Sequence, residues 1–435
     1  MNLEENKKLK EESNQGRLNW LKSKRETLFG AFGIMVVAIT ISSALSYLFN
    51  LVMNRLIPKA DYGDLYSMLT VFLIALTGAL SIQTVVTKYI AEFEARKERS
   101  NVRLLVRTFS RWLLLVGIII VIVSSALAWP AAHLFKLKSP FFVVILGASI
   151  ASTLYLTLPY GIVQGEQKFL ALGGANLGNQ LSRLLLGILF VKIGLGVYGA
   201  LGAGFIAAVF VSGFVIWEYR LLFSGEKPSP AGDFEPIRAL KFLVPVILAM
   251  FFIILLAQID VLLVKALFSR GRAGDYSYAA LAGKAVWFFP EGILMVMFPK
   301  VSELKAKGEK TRNVLLMSVG AASVMVGAVA GFYIIFPKFT AWFFAGEKGK
   351  SSATVVGLVG LFGITMAIFA LVKLIAFYEL ALEKKYFVLL FLIGGIAEVL
   401  GILLFHSTLK SVVLVMFFVA LFLLVSNLFL ALRDN

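Results

Sequence analysis

The sequence predicts an all-α polytopic membrane protein: twelve transmembrane helices in two six-helix, parallel-repeat bundles around a central cavity. Three observations lead there. Of the 435 residues, 59% are hydrophobic and 15% charged, against roughly 45–50% and 25% in soluble domains. The apolar residues gather in runs of about twenty, the length that carries a helix across ~30 Å of hydrocarbon. Short polar strings also recur at matching places in the first and second halves of the chain. Outer-membrane barrels and soluble enzymes are thereby excluded.

The runs are, in order, Leu28–Met53, Leu65–Thr87, Trp112–Trp129, Phe141–Val163, Phe169–Val191, Tyr198–Trp217, Phe242–Val264, Tyr276–Phe298, Val314–Phe336, Ala353–Phe377, Phe387–Phe405 and Val412–Leu432. Residues 1–27 are polar and charged. A signal peptide would need an unusually long leading region there, so the first helix is expected to be retained, with Leu18, Trp20, Leu21, Lys22, Lys24 and Arg25 lying along the membrane surface. The expected organisation is a cytoplasmic amphipathic segment (1–27), an N-terminal bundle (28–217), a cytoplasmic linker (218–241), a C-terminal bundle (242–432) and a short tail (433–435). The linker carries Gly225, Pro228, Pro230, Gly232 and Pro236.

Basic residues near a helix end resist translocation, so their distribution sets orientation. The side holding the N-terminus has 27 Lys and Arg and the other side 12, with three inside spans. Both termini are expected to be cytoplasmic, in a multi-pass inner or plasma membrane protein. The net charge of +17 then follows from topology and from attraction to anionic headgroups, which makes nucleic acid a poor partner and membrane lipids a good one.

The repeat consists of three pairs. Gly63-Asp64-Leu65-Tyr66-Ser67 matches Gly274-Asp275-Tyr276-Ser277, Ala91-Glu92-Phe93 matches Ser302-Glu303-Leu304, and Glu166-Gln167-Lys168-Phe169 matches Glu383-Lys384-Lys385-Tyr386. Six spans per half preserves orientation, which places a cavity between parallel repeats and suggests alternating access by rocking of one half against the other.

Charges at membrane depth are expensive, by roughly 2.5–3.5 kcal/mol each on insertion scales, and should face protein or water. Asn176, Asn179, Gln180 and Arg183 stand at i, i+3, i+4 and i+7 and share one helix face. Lys284, Trp287, Phe288 and Glu291 repeat that spacing, and Lys373 lies inside a later span. In the first helix Ser43, Ser46, Tyr47, Asn50 and Asn54 form another polar face, ending at Arg55 and Lys59. Two readings compete. Such groups could glue helices together, with Lys284 or Arg183 neutralising Asp260, Glu291 or Glu398. Alternatively they line a cavity, which the two-turn stripe ending in Arg183 favours, because a packed interface needs fewer donors. If Arg183, Lys284 and Lys373 face one vestibule, its positive field suits an anion such as a phosphate, pyrophosphate or acidic sugar. Trp287 and Phe288 would then stack on sugars or touch a lipid tail, or simply pack. Asp260, Glu291 and Glu398 are the candidates for coupling to H+ or Na+, with Asp260 also readable as one member of a structural pair.

No cofactor, metal centre or enzyme activity is expected. The chain has no cysteine, and His133 and His406 lie far apart. No Gly-x-x-x-x-Gly-Lys-Ser/Thr phosphate loop occurs either.

Asn54-Arg55-Leu56-Ile57-Pro58-Lys59-Ala60-Asp61-Tyr62-Gly63-Asp64-Leu65-Tyr66, followed by Tyr89-Ile90-Ala91-Glu92, resembles a signature of the polysaccharide-export flippases. Asp260, Ala273-Gly274-Asp275-Tyr276-Ser277 and Phe298-Pro299-Lys300-Val301-Ser302-Glu303-Leu304 resemble the equivalent landmarks of the second half. The likeness runs over nearly the whole chain. It implies the multidrug/oligosaccharidyl-lipid/polysaccharide exporter superfamily, with its central-cavity fold, and within it the O-antigen and exopolysaccharide flippases. The implied cargo is an undecaprenyl-pyrophosphate-linked oligosaccharide, moved from the cytoplasmic to the outer leaflet for cell-surface polysaccharide synthesis, with a polymerase and glycosyltransferases as implied partners. Twelve spans argue against the fourteen-span peptidoglycan-precursor flippases, and Ser269-Arg270-Gly271-Arg272 is more basic than the resemblance leads one to expect. The alternative is a cation-coupled multidrug and toxin extrusion exporter, weakened by the absence of an acidic residue from the first helix.

Overall fold

The computed structural model describes residues 37–38, 40–219, 236–382, 384 and 386–433, without the side chains of 80, 81, 236–250 and 306. The amphipathic segment expected over 1–27, the start of the first span, most of the linker and the last two residues lie outside this set. Among the described residues the chain is all helix, with no strand.

The order is α1 (40–56), α2 (Lys59–Ala75), α3 (Ala79–Ala95), α4 (Arg99–Ala126), α5 (Ala128–Leu134), α6 (Phe141–Gly165), α7 (Phe169–Phe190) and α8 (Gly196–Glu218). It continues with α9 (Pro236–Leu267), α10 (Arg270–Ala285), α11 (Glu291–Ala306), α12 (Arg312–Ile335), α13 (Pro337–Lys350), α14 (Ala353–Ala381), α15 (Tyr386–Leu404) and α16 (Leu409–Arg433). The same succession of elements occurs twice. In each half the second apolar run is broken, by a 3-10 turn at Leu76–Gly78 between α2 and α3 and at Val286–Phe288 between α10 and α11. In each half a short helix, α5 or α13, follows the third long one. The breaks are not apparent from hydropathy, because the apolar runs continue through both, and the short helices lie largely in the connections that follow Trp129 and Phe336, outside the runs.

Nine helical stretches among the described residues are long and apolar enough to cross a membrane, where the sequence leads one to expect twelve. Part of the difference is geometric. Phe169–Glu218 reads as one 50-residue stretch, yet Gly194 at φ 97° and Gly196 at φ 51° turn the chain so that α7 and α8 pack against each other. Such left-handed angles suit glycine, which has no Cβ to collide with the following carbonyl.

Packing follows the repeat. α6 lies against α3, α4 and α8 in the first half, and α14 against α10, α12 and α16 in the second. The halves meet chiefly where α2 lies on α9 and α10. There a Cβ on Gly63 would stand 3.1 Å from the Gly274 nitrogen, and one on Gly274 would stand 2.5 Å from the Lys59 carbonyl oxygen. The two backbones touch because neither residue has a side chain, the device by which small residues bring membrane helices together.

Gly274→Val should therefore separate α2 from α10 and destabilise the protein by an amount typical of overpacking, about 1–3 kcal/mol, seen as a lower midpoint of thermal unfolding in detergent. Gly78→Ala, where nothing lies within 4 Å of an added Cβ, should leave that midpoint nearly unchanged.

Candidate functional site

The polar stripe expected on one helix face lies on α7. Arg183 is half-buried, and its guanidinium sits over the Phe49 ring at 4.2 Å from the centroid. It borders a narrow cleft with room for about one water molecule, lined by Leu69, Phe72, Leu146, Ser149, Leu201 and Gly204, from α2, α6 and α8. No carboxylate pairs with Arg183 among the described residues. Asn176 donates to the Leu172 carbonyl at 3.1 Å, Asn179 faces the Tyr160 hydroxyl, and Gln180 is half-buried. The stripe thus meets its own helix, a neighbouring tyrosine and a cleft.

The other two deep cations are compensated. Lys284 Nζ lies 2.8 Å from Asp260 Oδ1 and 3.0 Å from Gln258 Oε1, while the Tyr276 hydroxyl donates to Asp260 Oδ2 at 2.7 Å. Lys373 Nζ lies 2.6 Å from Glu291 Oε1, donates to the Trp287 carbonyl at 3.0 Å, and stands 4.5 Å from the Trp287 ring centroid. That carbonyl belongs to the 3-10 break, where the helical ladder is interrupted. The expected vestibule of three free converging cations is accordingly revised. Lys284 and Lys373 each occupy a separate neighbourhood with an acid, and so Asp260 and Glu291 are members of ion pairs. The physical reason is the penalty for burying an unpaired charge, which a nearby carboxylate removes.

Glu398, on α15, differs. It is fully buried, neither carboxylate oxygen has a hydrogen-bond partner among the described residues, and Asp260 and Lys284 lie within electrostatic reach. On α1, Asn50 bonds back to the Ser46 carbonyl at 3.0 Å, while Arg55 reaches the Phe343 carbonyl of α13 at 3.0 Å. Tyr47 donates to the Leu281 carbonyl at 2.5 Å and Asn54 to the Phe344 carbonyl at 3.3 Å. Tyr47, Asn54 and Arg55 therefore make the polar face of α1 a seam against the second half, while Asn50 bonds within its own helix.

A second cluster was not anticipated from the sequence. Asp64, with no solvent exposure, is held by the Lys265 ammonium, by Arg270 Nη2 at 2.6 Å and by the Lys138 backbone N–H at 3.0 Å. Asp61 takes Arg270 Nη2 at 2.8 Å and Lys138 Nζ at 3.2 Å, and Lys59 Nζ sits 3.1 Å from Asp275 Oδ1. Nearby, Lys348 donates to the Arg55 and Ile57 carbonyls, and its partial burial holds that ammonium below the usual lysine range. The signal that could have revealed the cluster was already visible: each Gly-Asp of the repeat follows a basic residue at the head of its helix.

The family model described as "Polysaccharide biosynthesis protein" matches residues 30–305. The chain belongs to the polysaccharide biosynthesis protein family. Comparison with curated proteins gives no significant match. Among solved structures, this family member is similar to an inward-facing multidrug resistance MATE family transporter of the MOP superfamily (TM-score 0.76, 14% identity, 92% of this chain and 98% of that one). It is also similar to an outward-facing MATE family transporter (0.61, 16%, 93% and 95%) and to the lipid II flippase MurJ in an inward closed conformation (0.67, 12%, 90% and 87%). The fold is that of these MOP superfamily structures, and the protein is a multi-pass membrane protein.

Lys284→Met should leave Asp260 buried and uncompensated, lowering stability by about 3–5 kcal/mol. Adding Asp260→Asn should recover a large part of it. Thermal unfolding of the two variants in detergent checks both.

Proposed function

We propose that the protein flips a polyprenyl-pyrophosphate-linked oligosaccharide from the cytoplasmic to the outer leaflet of a bacterial inner membrane, both termini being cytoplasmic. The observation that carries this reading is Arg183: a half-buried guanidinium beside a cleft, with no carboxylate partner among the described residues, in a polysaccharide biosynthesis family member. A cation left uncompensated at that depth is stabilised when an anion arrives, and the diphosphate of a lipid-linked sugar is such an anion. The polar stripe of Asn176, Asn179 and Gln180 offers further donors and acceptors to sugar hydroxyls. The polyprenyl tail stays in lipid throughout.

Residues 28–217 and 242–432 act as two bundles that rock about the α2–α10 contact. No covalent bond is made or broken, so no catalytic group is required. An inside-negative potential favours outward movement of anionic cargo by about 2.3 kcal/mol per charge per 100 mV. Glu398 supplies a coupling site: a buried carboxylate with no donor is costly as an anion and is relieved by a proton or a cation. A polymerase and glycosyltransferases act after and before the flipping step.

Reconstituted protein supplied with labelled lipid-linked oligosaccharide tests the reading. Arg183→Ala should slow flipping roughly ten- to a hundredfold, the size of one lost charge-assisted contact of about 1.5–3 kcal/mol, and Arg183→Lys should keep part of the rate. Wild-type rates in Arg183→Ala would overturn the role given to Arg183, and efflux of a cationic dye in place of lipid inversion would favour the drug-exporter reading. With Glu398→Gln the response of the flipping rate to an imposed pH gradient should disappear while Arg183-dependent binding persists.

A further inference from the structure

The ion pairs between α2 and α10 obey a symmetry that neither half shows alone. Adding 211 to a residue number carries Lys59 to Arg270, Gly63 to Gly274 and Asp64 to Asp275. Lys59 and Arg270 are the first residues of α2 and α10. The structure pairs Lys59 with Asp275, and Arg270 with Asp64. Each basic residue therefore reaches across to the acid that is its own acid's repeat partner, as in an isologous two-fold contact, where i meets j and j meets i. Gly63 and Gly274 meet at the centre, backbone to backbone. On the same seam the Tyr62 and Tyr278 rings of opposite halves pack at 5.4 Å between centroids.

The two sides are unequal. Asp275 has Lys59 and the Ser352 hydroxyl at 3.0 Å, and Lys59 is 40% exposed. Asp64 is fully buried and has two cations, of which Lys265 is 1% exposed. A buried carboxylate with two cationic partners is a contact that water does not dissolve by itself, whereas the Lys59 side is wet and easily exchanged. All of these residues stand at the end of the bundle opposite the 88–111 loop, the end that the count of basic residues places outside.

We infer that Asp64, Lys265 and Arg270, with the repeat-related Lys59–Asp275 pair, form a pseudo-two-fold ionic gate that closes the outer end of the passage and must part when the protein opens outward. The inference rests on the alternating-access reading above, but its test needs no cargo. Parting α2 from α10 breaks both arms of the gate together, because one contact point carries both. The close glycine crossing makes the closed state sharply defined, and the charges set how long it lasts.

The chain has no cysteine of its own, so single-cysteine labelling reads the gate directly. Ser67 is fully buried and stands one turn beyond Gly63 on the same face of α2. Ser67→Cys, probed from outside with a membrane-impermeant maleimide, should label slowly in the otherwise intact protein. Asp64→Asn should raise that rate roughly tenfold or more, since removing one member of a buried pair leaves the others uncompensated. Lys59→Asp alone should raise it less, and Lys59→Asp with Asp275→Lys should return it toward the starting rate. Unchanged labelling in Asp64→Asn, or no recovery in the charge swap, overturns the gate. Should Asp64→Asn fail to reach the membrane, a short bismaleimide bridging Lys59→Cys and Asp275→Cys takes its place. That cross-link should suppress outside labelling of Ser277→Cys, also buried on the seam, and undiminished labelling overturns the gate. Because labelling is scored without substrate, a wrong cargo assignment leaves these outcomes unaffected, and a failed gate leaves the Arg183 assay unaffected.

Discussion

An ionised side chain at membrane depth has to find an opposite charge or water, and the arrangement of this protein follows from how it meets that demand. Lys284 is answered by Asp260 and Lys373 by Glu291. Asp64, buried at the junction of the halves, is answered twice, by Lys265 and Arg270. Arg183 and Glu398 stand apart among the described residues. Arg183 has an aromatic ring and a cleft but no acid, and Glu398 has buried oxygens and no donor. These two groups are the places where we propose that ligand and coupling ion bind.

The two exceptions also sit on different halves, Arg183 on α7 and Glu398 on α15. A single binding pocket would have gathered them. Separation suits a transporter in which cargo is held by one bundle and the driving ion by the other, with the α2–α10 contact as the mechanical link. The breaks at Leu76–Gly78 and Val286–Phe288 belong to that link, because each interrupts the helix that carries one side of the contact. Lys373 fastens the second break by bonding the Trp287 carbonyl that the helix no longer uses.

Much of this could be read from the sequence. Runs of about twenty apolar residues find their helices because hydrocarbon thickness fixes length, and the family resemblance carried by residues 54–66 lies within the segment that the family model matches. The face shared by Asn176 through Arg183 follows from helical periodicity alone. The partners of the charges were not legible. Lys284 and Asp260 are 24 residues apart, Lys373 and Glu291 82, and Lys265 and Asp64 201, and periodicity says nothing about which helix faces which. For that reason three cations were expected in one vestibule, and two proved to be neutralised. The two breaks are hidden because the apolar runs continue through them, and the short helices α5 and α13 because they lie in connections too short or too polar to register as spans.

The central claim is that the unpaired guanidinium on α7 receives an anionic lipid headgroup. Equilibrium binding of a short-chain polyprenyl-pyrophosphate glycolipid to purified protein, beside the same glycolipid lacking its phosphates and beside a cationic amphiphile, tests it most directly. The account predicts that only the phosphorylated lipid binds well, that Arg183→Gln removes most of that preference, and that raising salt weakens it. Equal binding of the neutral lipid, tighter binding of the cation, or an undiminished preference in Arg183→Gln would contradict it.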